Sequence, residues 1–249
     1  MSDVPAIKTV SRSDTGLVRM ENQDSVICLG EIGVFAVADG MGGGKEGALA
    51  SRMVCDELSR SVRAKNFLKR VDEIETAVSA ANARIFAYAK AHDFRQMGST
   101  VALLAVDDES FARGVVGYVG DSRVYRVRGG AAEMLTRDHS VGAELDAAVG
   151  AGAGERFSAR SNPLSHILTR SVGVKEEVLL EWRKIDIAAG DRYVVCSDGV
   201  HDVIKADTLG RIVADGELES VAGALADEVV ARGAPDNYSF VSVEMGGAR

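Results

Sequence analysis

Val34-Phe35-Ala36-Val37-Ala38-Asp39-Gly40-Met41-Gly42-Gly43-Gly44-Lys45-Glu46-Gly47 holds the punctuation from which the fold can be read. The unbroken apolar run from Val34 to Ala38 predicts a buried strand that stops at Asp39-Gly40. From Glu46 the period changes, and Ala50, Met53, Val54 and Leu58 recur at helical spacing. An Asp-Gly pair is ordinarily a hairpin turn, with another strand behind it. Here a helix follows, so the pair marks a strand-to-helix junction. Asp198-Gly199 repeats that arrangement after Tyr193-Val194-Val195-Cys196-Ser197.

Outward from this segment, a second helix is predicted over about Asp72 to His92, with Ile74, Ala77, Val78, Ala81 and Ile85 on one face. The period then returns to two. Thr100 to Val106, Phe111 to Val119 and Arg123 to Arg128 read as strands, separated by Asp107-Asp108, Gly120-Asp121 and Gly129-Gly130. Connections that short require antiparallel neighbours. Val141 to Pro163 is rich in Gly and Ala with little periodicity, which predicts a mobile surface excursion. Strands resume near Val178 to Asp186 and Arg192 to Cys196. Helices are expected from about Asp207 and over Glu217 to Arg232, before a last strand at Ser239 to Glu244. No boundary rich in Pro or Ser divides the chain, so residues 1–249 are expected to form one α+β domain.

Composition narrows the function. The 249 residues are 46% hydrophobic and 27% charged, and 29 Lys+Arg against 37 Asp+Glu leave a net charge of −8. A sequence-independent nucleic-acid binder carries a basic surface, so no nucleic-acid partner is expected. No apolar run reaches membrane-spanning length, and Met1-Ser2-Asp3-Val4-Pro5 lacks a signal pattern. The expectation is a cytoplasmic protein with no membrane insertion. Cys28, Cys55 and Cys196 are odd in number and far apart, which argues against disulfides and suits small buried thiols. With only four histidines and no His-Glu-x-x-His, any metal ligands must be mostly oxygen. His139 is expected to order a turn, His166 and His201 to be surface or supporting groups, and Trp182 to be a core residue.

Aspartates provide the candidate chemistry. Asp39 and Asp198 follow buried strands, Asp236 precedes Tyr238-Ser239-Phe240-Val241, and Asp24 stands beside Val26-Ile27-Cys28. Brought together, such carboxylates repel one another, and a divalent cation removes the penalty. Mg²⁺ or Mn²⁺ suits an all-oxygen set, and four carboxylates are enough for two ions. Spacing alone leaves both readings open, turn residues and metal site. Gly42-x-Gly44-x-x-Gly47 also fits a dinucleotide fingerprint. Against that, Asp39 would lie beside the pyrophosphate, and no strand is expected after the helix.

Taken together, the motifs resemble the metal-dependent Ser/Thr protein phosphatases (PPM, type-2C-like) in their short bacterial form. The resemblance is carried by Arg19-Met20-Glu21-Asn22-Gln23-Asp24-Ser25, Val37-Ala38-Asp39-Gly40-Met41-Gly42-Gly43, Gly98-Ser99-Thr100 and Val119-Gly120-Asp121-Ser122-Arg123. It continues through Leu135-Thr136-Arg137-Asp138-His139-Ser140, Leu168-Thr169-Arg170-Ser171-Val172-Gly173, Cys196-Ser197-Asp198-Gly199 and Ala234-Pro235-Asp236-Asn237. These segments occur in the family's order over nearly the whole chain.

The resemblance implies a β-sandwich of two antiparallel sheets with helices on both outer faces, and a flap at about residues 141–170. It implies two Mn²⁺ or Mg²⁺ ions bridged by Asp39, with Asp198 and Asp236 completing one and the Gly40 carbonyl serving the other. Asp24 would hold metal-bound waters, Asp121 would help bind a weaker third ion, and Gln23 and Asn237 would support the site from behind. Arg19 would grip the substrate phosphate, a task for a planar, permanently charged fork. The implied reaction is direct hydrolysis of phosphoserine or phosphothreonine in proteins by a metal-activated bridging water, opposing a Ser/Thr kinase, in a monomer. Met41 stands where eukaryotic relatives have a histidine near the leaving group. A catalytically silent phosphoprotein-binding module of the same fold is the alternative; it would be favoured by loss of a metal aspartate or of the arginine, and none is lost.

Overall fold

The computed structural model describes residues 7–94, 96–107, 110–149, 164 and 166–246. Its elements run β1 (Ile7–Asp14), β2 (Asp24–Leu29), β3 (Val34–Met41), α1 (Lys45–Ser61), α2 (Phe67–Ala91), β4 (Gly98–Ser99), β5 (Val101–Val106), β6 (Arg113–Val119), β7 (Arg123–Arg128) and β8 (Ala131–Met134). They continue with α3 (Val141–Val149), β9 (Glu181–Asp186), β10 (Arg192–Cys196), α4 (Asp198–His201), α5 (Ala206–Ala214), α6 (Leu218–Ala231) and β11 (Tyr238–Met245). One sheet has the order β1-β11-β10-β7-β8 and the other β2-β3-β5-β6-β9, with β4 added on β3. Every strand pair is antiparallel.

The period-two alternation of the strands divides the core into layers. Phe35 and Val37 of β3 pack between the sheets with Leu104, Tyr193, Val195, Val241 and Val243. Val34, Ala36 and Ala38 point the other way, against Leu58 of α1 and Ile74 of α2. Val194, Cys196 and Phe240 face Leu209 of α5 and Leu225 of α6. The result is the expected sandwich with a helical layer outside each sheet. Because both faces of each sheet are covered, all six residues of β5 are buried. Among the described residues, no helix is long and apolar enough to cross a membrane.

Some expectations need correction. Val141 to Val149 is a helix, not an irregular excursion; the rest of that excursion, Gly150 to Pro163, lies outside the described residues, as do Asp108 and Glu109. The helix has Glu144 in its first turn, where the helix dipole favours a negative charge. Cys28 is exposed although it shares the face of Val26 and Asp24, because β2 is an edge strand; its thiol meets the Thr9 hydroxyl of the facing sheet at 3.2 Å, while Cys55 and Cys196 are buried as expected. Trp182 is only partly buried: its ring lies over Gly117 while its indole N–H donates to Glu75 at 2.6 Å. Helix α2 begins at Phe67, earlier than its apolar stripe, because the Asn66 side chain caps it by accepting from the Lys69 N–H.

Candidate active site

The strand parity that builds the core also aims the carboxylates. Asp39 continues the row of Phe35 and Val37, and Asp24 the row of Val26, so both project from the end of the sandwich, between the sheets. They are register partners, Asp24 on β2 opposite Asp39 on β3. From the facing sheet, β10 ends at Cys196 and delivers Asp198 as the first residue of α4, and β11 begins just after Asp236-Asn237. Asp121 arrives in the turn between β6 and β7. Asp39, Asp121 and Asp198 line one cleft of about 880 Å³.

The two Asp-Gly junctions are places of close backbone approach. A Cβ on Gly40 would lie 2.0 Å from the Gly47 carbonyl oxygen and 2.8 Å from that of Gln23. One on Gly199 would lie 2.0 Å from the Asn237 carbonyl oxygen. Only glycine lets α1 and α4 start this close to the strands, which is why the acids before them sit at the floor of the cleft.

Their environment disfavours charge. Burial, with repulsion from Asp198 and Asp236, raises the Asp24 carboxyl to about 7, although the Ser197 hydroxyl donates to it at 2.7 Å. Burial and then Asp198 and Asp138 push Asp121 to about 8. Asp39 is raised well above an ordinary aspartate by burial and by Asp198, Asp24 and Asp121. Asp198 is raised by burial, against the opposing pull of His201. One oxygen of Asp24, Oδ1, is buried without a hydrogen-bond partner. This donor set fits divalent cations: hard anionic oxygens, forced together, with an orphaned lone pair among them. Among the described residues, no three acidic, histidine or cysteine side chains are already grouped closely enough to hold a metal ion, so a cation would have to draw these carboxylates together. Arg19 engages Asp236 instead, Nη2 to Oδ2 at 2.6 Å.

Gln23 and Asn237 lie behind these groups. The Asn237 side-chain oxygen accepts from the Gln23 N–H at 2.9 Å, and its amide donates to the carbonyls of Thr15 and Glu21. The segment carrying Arg19 is thereby tied to the start of β11. All the carboxylates expected at the site are thus brought to one end of the sandwich, with Arg19, Gly40, Gln23 and Asn237 beside them.

One support had no role assigned from sequence. Thr100 Oγ1 accepts from the Asp39 N–H at 2.9 Å and pairs with the Ser122 hydroxyl at 2.7 Å. Whichever hydroxyl donates in that pair, it joins the Asp39 strand to the Asp121 turn. Gly98-Ser99-Thr100 was the available signal. His139 supports the same turn: its Nδ1 accepts from the Gly120 N–H at 3.1 Å, and its Nε2 lies 2.9 Å from Arg170 Nη1 and 3.1 Å from Glu181 Oε2. It orders the Gly120-Asp121 turn, as expected. His201 also supports Asp121, donating from Nε2 to its carbonyl at 3.0 Å.

The glycine loop shows no dinucleotide architecture. Gly42, Gly43 and Gly44 all have positive φ, and α1 leads into α2 rather than into a parallel strand.

The fold and the acidic cleft have clear counterparts. A family model described as protein phosphatase 2C matches residues 18–228, and the chain belongs to that family. The serine/threonine protein phosphatase PstP of Mycobacterium tuberculosis is 30% identical over 243 residues, which are 96% of this chain and 45% of that protein. The chain therefore spans less than half of that relative's length. Among solved structures, PppA, described as a key regulatory component of T6SS in Pseudomonas aeruginosa, superposes with a TM-score of 0.87 at 31% identity, covering 97% of this chain and 99% of that one. The catalytic domain of PstP in complex with two manganese ions gives 0.82 at 28% identity, covering 98% and 100%.

Proposed function

We propose that this chain is a metal-dependent protein phosphatase that hydrolyses phosphoserine and phosphothreonine in proteins, opposing a Ser/Thr kinase. Residues 1–249 act as one catalytic domain, with about 141–170 as its flap. The observation that carries this reading is the convergence of Asp24, Asp39, Asp121 and Asp198, each raised in pKa, beside Arg19 at one end of the sandwich.

Asp39, Asp198 and Asp236, with the Gly40 carbonyl, would hold two Mn²⁺ or Mg²⁺ ions, Asp24 would orient their waters, and Asp121 would serve a weaker third. When bound, these ions supply Lewis acidity and a water acidified to near-neutral pH; the related PstP domain was solved with two manganese ions. Arg19 lies within reach of the charges of Asp198 and Asp39, and its Asp236 contact uses one of the five N–H donors of a guanidinium. The remaining donors suit the equatorial oxygens of a phosphoryl group in transfer. Thr100 and Asn237 keep Asp39 and the Arg19 segment at fixed distances, so the arrangement is prepared before substrate arrives.

The free thiols Cys28, Cys55 and Cys196 suit a reducing cytoplasm, and the monomer is the proposed working form. The test is hydrolysis of a phosphothreonine peptide with Mn²⁺ and then with EDTA, in wild type, Asp39→Asn and Asp198→Asn. Turnover that requires the metal and is lost in both variants supports the reading. Metal binding without turnover in the wild type would point to a binding module instead.

A further inference from the structure

Six of the eleven large hydrophobic side chains exposed among the described residues adjoin the candidate active site. Leu17, Val18 and Met20 flank Arg19, and Met20 is 99% exposed. Their segment is pinned beside the site by the Leu17 N–H on the Ala234 carbonyl at 3.0 Å and by Arg19 on Asp236. The other three, Ile167, Val174 and Leu179, line the cleft whose floor holds Asp39, Asp121 and Asp198, and Leu179 is 70% exposed. Apolar area this concentrated, in a chain of net charge −8, marks a contact surface rather than chance exposure.

The wall that carries Leu179 is held in place. Arg170 Nη2 donates to the Leu179 carbonyl at 2.5 Å, and its Nη1 reaches Glu181 at 3.5 Å. The Asn82 amide donates to the carbonyls of Lys175 and Glu176 at 3.0 and 2.9 Å, which fixes the segment after Val174. Both apolar lips are therefore presented on ordered backbone, one tied to Asp236 through Arg19 and the other lining the cleft of Asp39, Asp121 and Asp198.

We propose that these lips bind the residues on either side of the phosphorylated one, and that the preferred substrate is a phosphoprotein segment with apolar side chains flanking the phosphoresidue. This inference rests on the phosphatase reading above. Apolar burial selects the occupant: apolar flanks gain the exposed area of both lips, whereas acidic flanks gain none and meet a chain of negative net charge. Shape agrees, because the cleft volume exceeds that of a phosphate group alone and leaves room for a neighbouring side chain.

The test uses phosphothreonine peptides that differ only at the two flanking residues, with Leu, Gly or Glu there, assayed beside a small aryl phosphate. Leu flanks should raise kcat/KM roughly tenfold over Gly, and Glu flanks should fall below Gly. In Leu179→Ser and in Met20→Ser the Leu-over-Gly ratio should shrink toward one. Leu68→Ser, exposed in the first turn of α2 and outside the cleft lining, should keep the wild-type ratio. Equal kcat/KM for all three peptides, with the aryl phosphate still hydrolysed, would overturn this inference and leave the phosphatase reading standing. Loss of both substrates would overturn the two together. A ratio unchanged in both lip variants would also overturn it.

Discussion

Asp24→Asn removes one charge from the carboxylate cluster while preserving its shape, and its effect on stability follows from the site. Burial and its neighbours raise this carboxyl from 3.8 to about 7, so the folded protein prefers to keep the proton. The penalty is absent below about pH 4, grows as the pH rises toward 7, and is complete above that value. A shift of about three pKa units corresponds to roughly 4 kcal/mol at pH 8. Asparagine can still accept from Ser197, but its amide group replaces an oxygen that has no partner, which costs about 1–3 kcal/mol. The net gain at pH 8 is about 1–3 kcal/mol, or roughly 2–10 °C in Tm for a chain of this length. Differential scanning calorimetry in EDTA at pH 5 and pH 8 measures it. The variant should melt above the wild type at pH 8, and the advantage should vanish or reverse at pH 5. Millimolar Mn²⁺ should restore the wild type to the higher Tm, since a ligand stabilises the form that binds it better. An Asp24→Asn protein that is less stable by the same margin at both pH values would refute the claim that this carboxylate is held at a cost.

Other expectations follow from the supports around the cluster. Thr100→Val leaves the Asp39 N–H without its acceptor and should cost about 1–3 kcal/mol of stability; it should also weaken Mn²⁺ binding, read by calorimetric titration, while Thr100→Ser keeps both near wild type. Gly40→Ala would drive a methyl group into the Gly47 backbone and should lower Tm by several degrees, whereas Gly43→Ala meets no atom within 4 Å and should cost only the strain of its positive φ, about 1 kcal/mol. Arg19→Ala should lower kcat/KM on phosphopeptides by about 100-fold, and Arg19→Lys should recover only part of the loss.

Strand parity explains why so much of this site was readable from the residues. Once Val34 to Ala38 is a two-sided buried strand with Phe35 and Val37 between the sheets, Asp39 must leave its end on the interior face. On β10, whose observed bounds Arg192–Cys196 coincide with those expected, the interior row of Tyr193 and Val195 runs on to Ser197, and Asp198 reaches the site as the first residue of α4. Elements whose order comes from partners were missed. β1 alternates weakly and is half exposed, and its eight-residue register with β11 makes it a strand. β8 is four residues long and depends on β7 for its pairing. The site shows the same division. Acidic residues at strand ends are visible one at a time, but the Thr100–Ser122 bridge joins residues 22 apart and the Arg19–Asp236 pair residues 217 apart. Such contacts exist only after the sheets have packed, so no local pattern announces them.

Counting bound Mn²⁺ against turnover bears most directly on the central claim that these aspartates form a cation centre for phosphoester hydrolysis. The metal-free protein would be titrated with Mn²⁺ by calorimetry, with release of phosphate from a phosphothreonine peptide followed at each step. Two tightly held ions per chain, with turnover rising as the second binds and both lost in Asp39→Asn, is the expected result. Turnover that persists in excess EDTA, or full activity with Asp39 neutralised, would contradict it.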